Sequence, residues 1–475
     1  MNKYLKLFLE NFLFYGGLSM LQKALPFITL PIITSLLPNS ESYGIGDMFN
    51  LLIFLGSALA ILGMYDAIFR EYFEKKEDEN YKKKVTSTGL GIVIISSIFI
   101  FSTIIIFKKI IVVYLFGNST YDNLIYLSAL GIVIVTLNGI ISIPTRMRNE
   151  RKIFFFTGIT FPLIGFIITY YFIKIGYTYE ALIYGFIFSN FISVIIFFIL
   201  NRKDFEIKMF DKKVAKELLK IGLPLLPTFI IYWVFNSLDK IMIAKMINVS
   251  ELGIYSVGSK VASVSQLVYT AFTGGWSYFA FSTMKDTDQV GINSKVFEYL
   301  GVISFVLFIV VQPFTNIVFK MFFEGSYIKG KEVFAYLFLS PLILMLFQII
   351  SNQMIIMKKS YLSTFSLSLG LVLNIILNYT LIKSHGIRGA AFSTLLSYVL
   401  SVILMSLVCL KHKLLVLNKK FIFIAFLVFM GVNMSFFLPN EIILITFTYV
   451  AILIIIIIFY LNDLKSVLKN IKNEG

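Results

Sequence analysis

Fourteen apolar runs of about 20 residues follow one another from residue 12 to residue 461. A helix needs roughly 20 such residues to cross the hydrocarbon of a bilayer. In lipid a backbone must satisfy its own hydrogen bonds, so runs of this kind fold as transmembrane helices. The chain is therefore expected to be an all-α, multi-pass membrane protein. Its spans fall at about 12–33, 45–67, 86–107, 120–143, 153–173, 181–200, 221–243, 254–280, 297–318, 333–356, 361–381, 389–409, 421–437 and 442–461. The first is too long for a signal peptide, carries Lys23 and lacks a small-x-small cleavage site. With 58% hydrophobic and 14% charged residues, a water-soluble enzyme and a disordered chain are both excluded. One cysteine, Cys409, and two histidines, His385 and His412, leave no intrachain disulfide and no Cys- or His-based metal centre.

The net charge of +16 must be read segment by segment. With the N-terminus inside, 30 of the 42 Lys and Arg fall on inner segments, 9 on outer loops, and 3 (Lys23, Lys240 and Lys260) within spans. That asymmetry predicts both termini on the cytoplasmic side of the plasma membrane. The positive charge is thus a face of the membrane protein, and no nucleic-acid partner is needed to explain it.

The chain also repeats itself. Asn39, Gly44 and Ile45 recur 209 residues later as Asn248, Gly253 and Ile254, and Ile140-Ile141-Ser142 recurs as Ile349-Ile350-Ser351. Ser193-Val194-Ile195 returns as Ser401-Val402-Ile403 at an offset of 208. The offset matches six spans, an even number, so two parallel six-helix repeats are expected, with a site between them. The expected layout is an N-terminal lobe at 1–200, a basic amphipathic linker at 201–220, a second lobe at 221–410, two extra helices at 420–462 and a tail at 463–475.

Chemistry of the enzymatic kind is hard to place. The outer loops are short, and no cluster of carboxylates or histidines is available for acid–base work, so no catalytic residues and no metal site are expected. Gly325-Ser-Tyr-Ile-Lys-Gly330-Lys331 has phosphate-loop spacing, but Glu332 stands where Ser or Thr is needed. The informative residues are polar ones at membrane depth, where a charge costs roughly 2.5–3.5 kcal/mol on insertion scales. Lys23, beside Gln22, lies too deep to reach water easily. The eighth span carries Ser259, Ser263, Gln266, Thr270, Thr273 and Ser277 as one helical stripe with Lys260 at its edge, readable either as a cavity lining or as a packing face. The seventh carries Thr228, Tyr232, Asn236 and Asp239 with Lys240 adjacent; the last two read equally as an ion pair near the outer end. Asp47 and Asn50 share a face of the second span. Asp66 and Arg70 are spaced to pair with each other. Arg146, Arg148, Arg151 and Lys152 form a basic inner loop, a topology signal or a phosphate-capturing mouth.

Lys220-Ile-Gly-Leu-Pro-Leu-Leu-Pro227, Ser237-Leu-Asp-Lys-Ile-Met-Ile243 and Glu251-Leu-Gly-Ile-Tyr-Ser256 together resemble the middle signature of Wzx-type polysaccharide flippases. These belong to the multidrug/oligosaccharidyl-lipid/polysaccharide exporter superfamily. Leu30-Pro-Ile-Ile-Thr34, Tyr43-Gly-Ile45 and Gly63-Met-Tyr-Asp-Ala-Ile-Phe-Arg70 are similar to its opening. One departure is Trp276-Ser277, where the family often has Trp with a Pro shortly after. The resemblance implies two lobes like those of multidrug exporters, and alternating-access movement of a polyprenyl-diphosphate-linked oligosaccharide from the inner to the outer leaflet. It implies Lys23 and Lys260 as cavity cations, lined by Gln22, Gln266, Asn236, Asp239 and Lys240, with Arg70, Arg146, Arg148 and Arg151 at the inner mouth. It implies no cofactor beyond H+ or Na+ as a coupling ion, and polysaccharide polymerase and chain-length machinery as partners. The rival readings are a cation exporter of the same fold, a lipid II flippase, and a membrane-embedded polymerase or ligase.

Overall fold

The computed structural model describes residues 25, 27–74, 78–116, 120–270, 272, 276, 288–357, 359 and 361–474. No strand occurs among them, and 11 of their helices are long and apolar enough to cross a membrane. Most of the expected first span, with Gln22 and Lys23, lies outside the described residues, as does much of the second half of the eighth.

The chain divides into two compact units. The first comprises Met1–Val257, Phe323–Lys329 and Ile382–Ile387. Its helices are α1 (Phe27–Leu36), α2 (Ser40–Ile61), α3 (Met64–Glu74), α4 (Glu79–Ile106), α5 (Lys108–Phe116), α6 (Asp122–Ile141), α7 (Ile143–Met147), α8 (Arg151–Lys174), α9 (Tyr179–Asn201), α10 (Lys212–Gly222), α11 (Leu226–Met246) and the first turns of α12 (Val249–Ala262). Several helices outrun the apolar runs. α2 begins at Ser40 because the Asn39 side chain accepts the Ser42 N–H, capping a polar first turn that hydropathy alone passes over. α4 begins at Glu79, two turns before the apolar run, under an Asp78 cap. Leu62 and Gly63, both at positive φ, separate α2 from α3.

Two apolar clusters hold this unit. Phe49, Ile53, Ile125, Ala129, Ile132 and Ile183 interlock between α2, α6 and α9. Met64, Ile68, Val85, Val93, Ile140, Val214 and Leu218 gather α3, α4 and α6 around α10. Within lipid such packing is held by close van der Waals fit rather than by expulsion of water. The amphipathic helix α10 is different: it is capped by Asp211, and it buries Val214 and Leu218. Burial of Leu218 alone is worth about 1.5–3 kcal/mol where water is the alternative.

The second unit comprises Gly258–Phe322, Gly330–Leu381 and Arg388–Gly475. It holds the end of α12, then α13 (Gln289–Val311), α14 (Thr315–Phe322), α15 (Lys331–Ile356), α16 (Tyr361–Lys411), α17 (Lys419–Phe437) and α18 (Ile442–Glu474). The decoy phosphate-loop segment forms a 3-10 turn, Gly325–Gly330, that leads directly into α15. α16 is not one rod. Gly386 interrupts it at φ 59°, ψ −143°, a conformation essentially restricted to glycine. The arms fold back on each other: Asn374 Nδ2 donates to Thr394 Oγ1 at 3.3 Å, and Ser366 Oγ lies 3.8 Å from Met405 Sδ. The expected eleventh and twelfth spans are these two arms.

Candidate functional site

The residues that the repeat matches meet each other. α2 and α12 touch at Gly44 and Gly253, where a Cβ on Gly253 would overlap the Ser40 carbonyl and one on Gly44 the Val249 carbonyl. Asn39 accepts the Ser42 N–H, and Asn248 the Glu251 N–H, so the matched asparagines do the same work at the start of each helix. Ser40 Oγ and Ser250 Oγ are 2.6 Å apart. Ser256 Oγ donates to Asp47 Oδ2 at 2.7 Å across a separation of 209 residues, the offset of the repeat itself. These contacts, all within the first unit, join positions that the 209-residue sequence match pairs.

On this contact sits a buried charge network. Lys240 Nζ on α11 lies 2.7 Å from Asp47 Oδ2, and both side chains are largely buried, at 16% and 8% exposure. One residue earlier on each helix, Tyr255 OH donates to Asp239 Oδ2 at 2.8 Å. α11 itself is anchored along α2 by Trp233, whose Nε1 donates to the Leu51 carbonyl at 3.3 Å. Residues 323–329 complete this end of the unit. Tyr327 OH donates to the Asn39 carbonyl at 3.0 Å, its ring meets Tyr43 edge-on at 6.4 Å, and Lys329 Nζ pairs with Glu251 at 2.7 Å. Each buried charge in the network thus has an opposite charge or a hydroxyl on it, the condition under which burial is tolerated.

The structure therefore brings together Asp239 and Lys240 of the expected cavity residues, but each faces its own partner. Lys240 pairs with Asp47, and Asp239 takes the Tyr255 hydroxyl. Asn236 is exposed on α11, Lys260 is exposed near the end of α12, and Gln266 is half-buried. The eighth span is not a continuous stripe: α12 ends at Ala262, a turn at Ser263–Val264 follows, and helix resumes at Ser265. Ser263 and Thr270 donate to carbonyls of their own chain, those of Lys260 and Gln266.

At the other end of the first unit the expected basic mouth is partly committed. Arg148 bonds Glu150 at 2.7 Å, Asp204 at 2.6 Å and the Asn201 side chain at 2.6 Å. Burial works against its charge, but the bonds to Glu150 and Asp204 outweigh it and push its pKa above the ordinary arginine value. Arg146 donates to Tyr65 OH and lies over the Tyr65 and Phe69 rings. Arg70 and Asp66 are both exposed and, among the described residues, form no ion pair, which corrects the i, i+4 reading. Arg151 opens α8, and its side chain lies outside the described residues. Sequence reasoning missed Thr86, Ser87 and Thr88, three consecutive hydroxyls of α4 that hold the linker by the Asp204 carbonyl and the Glu206 and Asp211 N–H groups. It also missed the buried Asn374, Asn378 and Thr394 chain, in which Asn378 Nδ2 donates to Asn374 Oδ1 at 3.0 Å. Among the described residues no group of three or more His, Cys, Asp or Glu is placed to hold a metal ion.

The fold, an all-α multi-pass one in which α2 and α12 meet at positions matched by the repeat, is shared with solved structures. The lipid II flippase MurJ in an inward closed conformation matches with a TM-score of 0.67 at 16% identity, covering 96% of this chain and 99% of that one. An inward-facing multidrug transporter of the MATE family matches with a TM-score of 0.64 at 13% identity, covering 82% and 94%. A mutant of the Vibrio cholerae MATE transporter VcmN matches with a TM-score of 0.57 at 12% identity, covering 85% and 98%. At these identities the likeness concerns the fold. The sequence itself matches the family described as polysaccharide biosynthesis protein over residues 32–321, more than half of the chain, and the chain belongs to that family. No curated protein matches it.

Proposed function

We propose that this protein is a flippase of surface-polysaccharide assembly, moving a polyprenyl-diphosphate-linked oligosaccharide from the inner to the outer leaflet of the plasma membrane by alternating access. The observation that carries the reading is membership of the polysaccharide biosynthesis family on a fold shared, over nearly the whole chain, with a lipid flippase. Two physical arguments support it. Lysines at membrane depth, Lys23 and Lys260, offer focused positive charge to a diphosphate, and the pairing offsets part of the cost of keeping them there. An inside-negative potential favours outward movement of an anion by roughly 2.3 kcal/mol per charge per 100 mV, so no nucleotide is required. In this cycle the Asp47–Lys240–Ser256 network and the Gly44–Gly253 contact fasten α2 to α11 and α12 in the closed state of one mouth, and part in the other. Asn236 and Gln266 supply hydrogen bonds to the sugar.

The test is made in a strain lacking the gene. Complete lipid-linked repeat units accumulating on the inner face, identified by mass spectrometry and by their inaccessibility to an external lectin, are expected. Unchanged lipid-linked sugars with altered sensitivity to cationic drugs would instead assign the chain to the exporter branch. Lys23→Ala is expected to abolish export at normal membrane abundance.

A further inference from the structure

The second unit contains a cavity of about 890 Å³ that the transport reading does not use. It lies where α13 passes through residues 312–314 into α14, beside the start of α15, the start of the second arm of α16, and the α17–α18 turn. Its polar end carries Gln312, Lys331, Glu332 and Arg388; its apolar wall continues down α18 from Ile442 to Leu453. The eleven helical rises from Ile442 to Leu453 make that wall about 16 Å long, the scale of a lipid chain rather than of a soluble metabolite.

The polar end is built for an anion that also carries a hydroxyl. Lys331 is oriented by Asn316, whose Oδ1 accepts from Nζ at 2.9 Å. Arg388 is fixed by the Phe436 carbonyl, to which one terminal nitrogen donates, and by the Phe436 ring 4.9 Å from the guanidinium carbon. Its Nε, though buried, has no acceptor. Gln312 Oε1 is likewise buried and receives no donor. Glu332 is the one carboxylate in the lining and stands in the first turn of α15, where the N-terminal end of the helix dipole answers its charge. That leaves two oriented cations, one spare N–H and one spare acceptor above an apolar wall. Buried donors and acceptors without partners cost about 1–3 kcal/mol each, so a ligand that completes them gains on both.

We infer that this cavity binds an anionic glycerophospholipid with a hydroxylated head group, its phosphate on Lys331 and Arg388, a head-group hydroxyl donating to Gln312, and an acyl chain along Ile442–Leu453. The sidedness read from the basic residues puts the head group in the outer leaflet. The site holds a resident membrane lipid, distinct from the transported one, and braces the α17–α18 hairpin against α13 and α15.

The test uses the full-length protein in detergent, with native mass spectrometry against dioleoyl phosphatidylglycerol, dioleoyl phosphatidic acid, dioleoyl phosphatidylcholine and inorganic phosphate. Phosphatidylglycerol is expected to bind at least tenfold more tightly than phosphatidylcholine. Lys331→Gln is expected to remove most of that preference. Gln312→Leu is expected to weaken phosphatidylglycerol but leave phosphatidic acid, which lacks the head-group hydroxyl, unchanged. Neither variant touches the Arg388–Phe436 contact, and unaltered unfolding midpoints confirm that both are folded. Equal binding of phosphatidylglycerol and phosphatidylcholine, or full retention of the preference in Lys331→Gln, would overturn the assignment. Displacement of phosphatidylglycerol by millimolar inorganic phosphate would reassign the site to a free anion.

Discussion

Two polar assemblies in this protein are built to opposite rules. In the first unit Asp47, Lys240, Ser256, Asp239 and Tyr255 are matched donor to acceptor and charge to charge, at 2.7 to 2.8 Å. In the second, the cavity beside α17 and α18 keeps two cations, with Arg388 Nε and Gln312 Oε1 buried and unmatched. A closed network stabilises the arrangement of its own helices and offers nothing to a ligand. An open one costs stability and is complementary to something else. The contrast separates a fastener from a receptor without reference to conservation or to fold.

The contrast can be broken experimentally, most forcefully at its closed side. Lys240→Ala leaves Asp47 buried without its cation and is expected to cost about 3–5 kcal/mol, read as a lowered midpoint of unfolding in detergent. The Asp47→Asn/Lys240→Met double variant should recover at least half of that loss; no recovery would show that the pair is not coupled. Ser256→Ala removes a hydrogen bond to a charged oxygen and should cost about 1.5–3 kcal/mol by the same measurement. On the open side the sign reverses. Gln312→Leu deletes an unmatched acceptor and is expected to leave stability unchanged or raise it by up to about 1 kcal/mol; a drop comparable to that of Ser256→Ala would mean Gln312 is paired after all. The smallest effect belongs to Asp211. The Lys213 and Val214 N–H groups lower its pKa below the usual carboxylate value. Its contribution is therefore complete above about pH 4, the unfolded value, and fades as pH falls through the lowered folded value. Amide exchange along α10 should accelerate only in that acid range, and in Asp211→Ala it should be fast at neutral pH.

Much of the fold was legible because bilayer crossing is written in composition: the apolar runs located the helices. Helix ends were less so. Ser40 and Glu79 start helices on side-chain caps, whereas hydropathy marks only the part of a helix that lies in lipid. Asp47 and Lys240 were each visible as expensive polar residues, but not as partners, since 193 residues separate them and only packing closes that distance. Asp66 and Arg70 show the converse: correct helical spacing, with no ion pair formed. Gly44 and Gly253 were visible as a repeat match and not as a contact, because sequence shows that two positions correspond, not that they touch. The cavity in the second unit left no pattern at all, since Gln312, Lys331 and Arg388 come from three separate segments.

The break in α16 bears on how the protein enters its membrane. A 51-residue apolar helix without interruption would be about 77 Å long, more than twice the roughly 30 Å hydrocarbon layer. During synthesis such a segment has competing ways to insert: as one long tilted rod, or as a hairpin with both ends on the same side. Gly386 settles the competition at the single residue where the chain reverses. If it fails to turn, α17 and α18 are delivered with their ends exchanged across the bilayer. One glycine thus carries the orientation of the last two helices, and an error there is an error of biogenesis before it is one of stability.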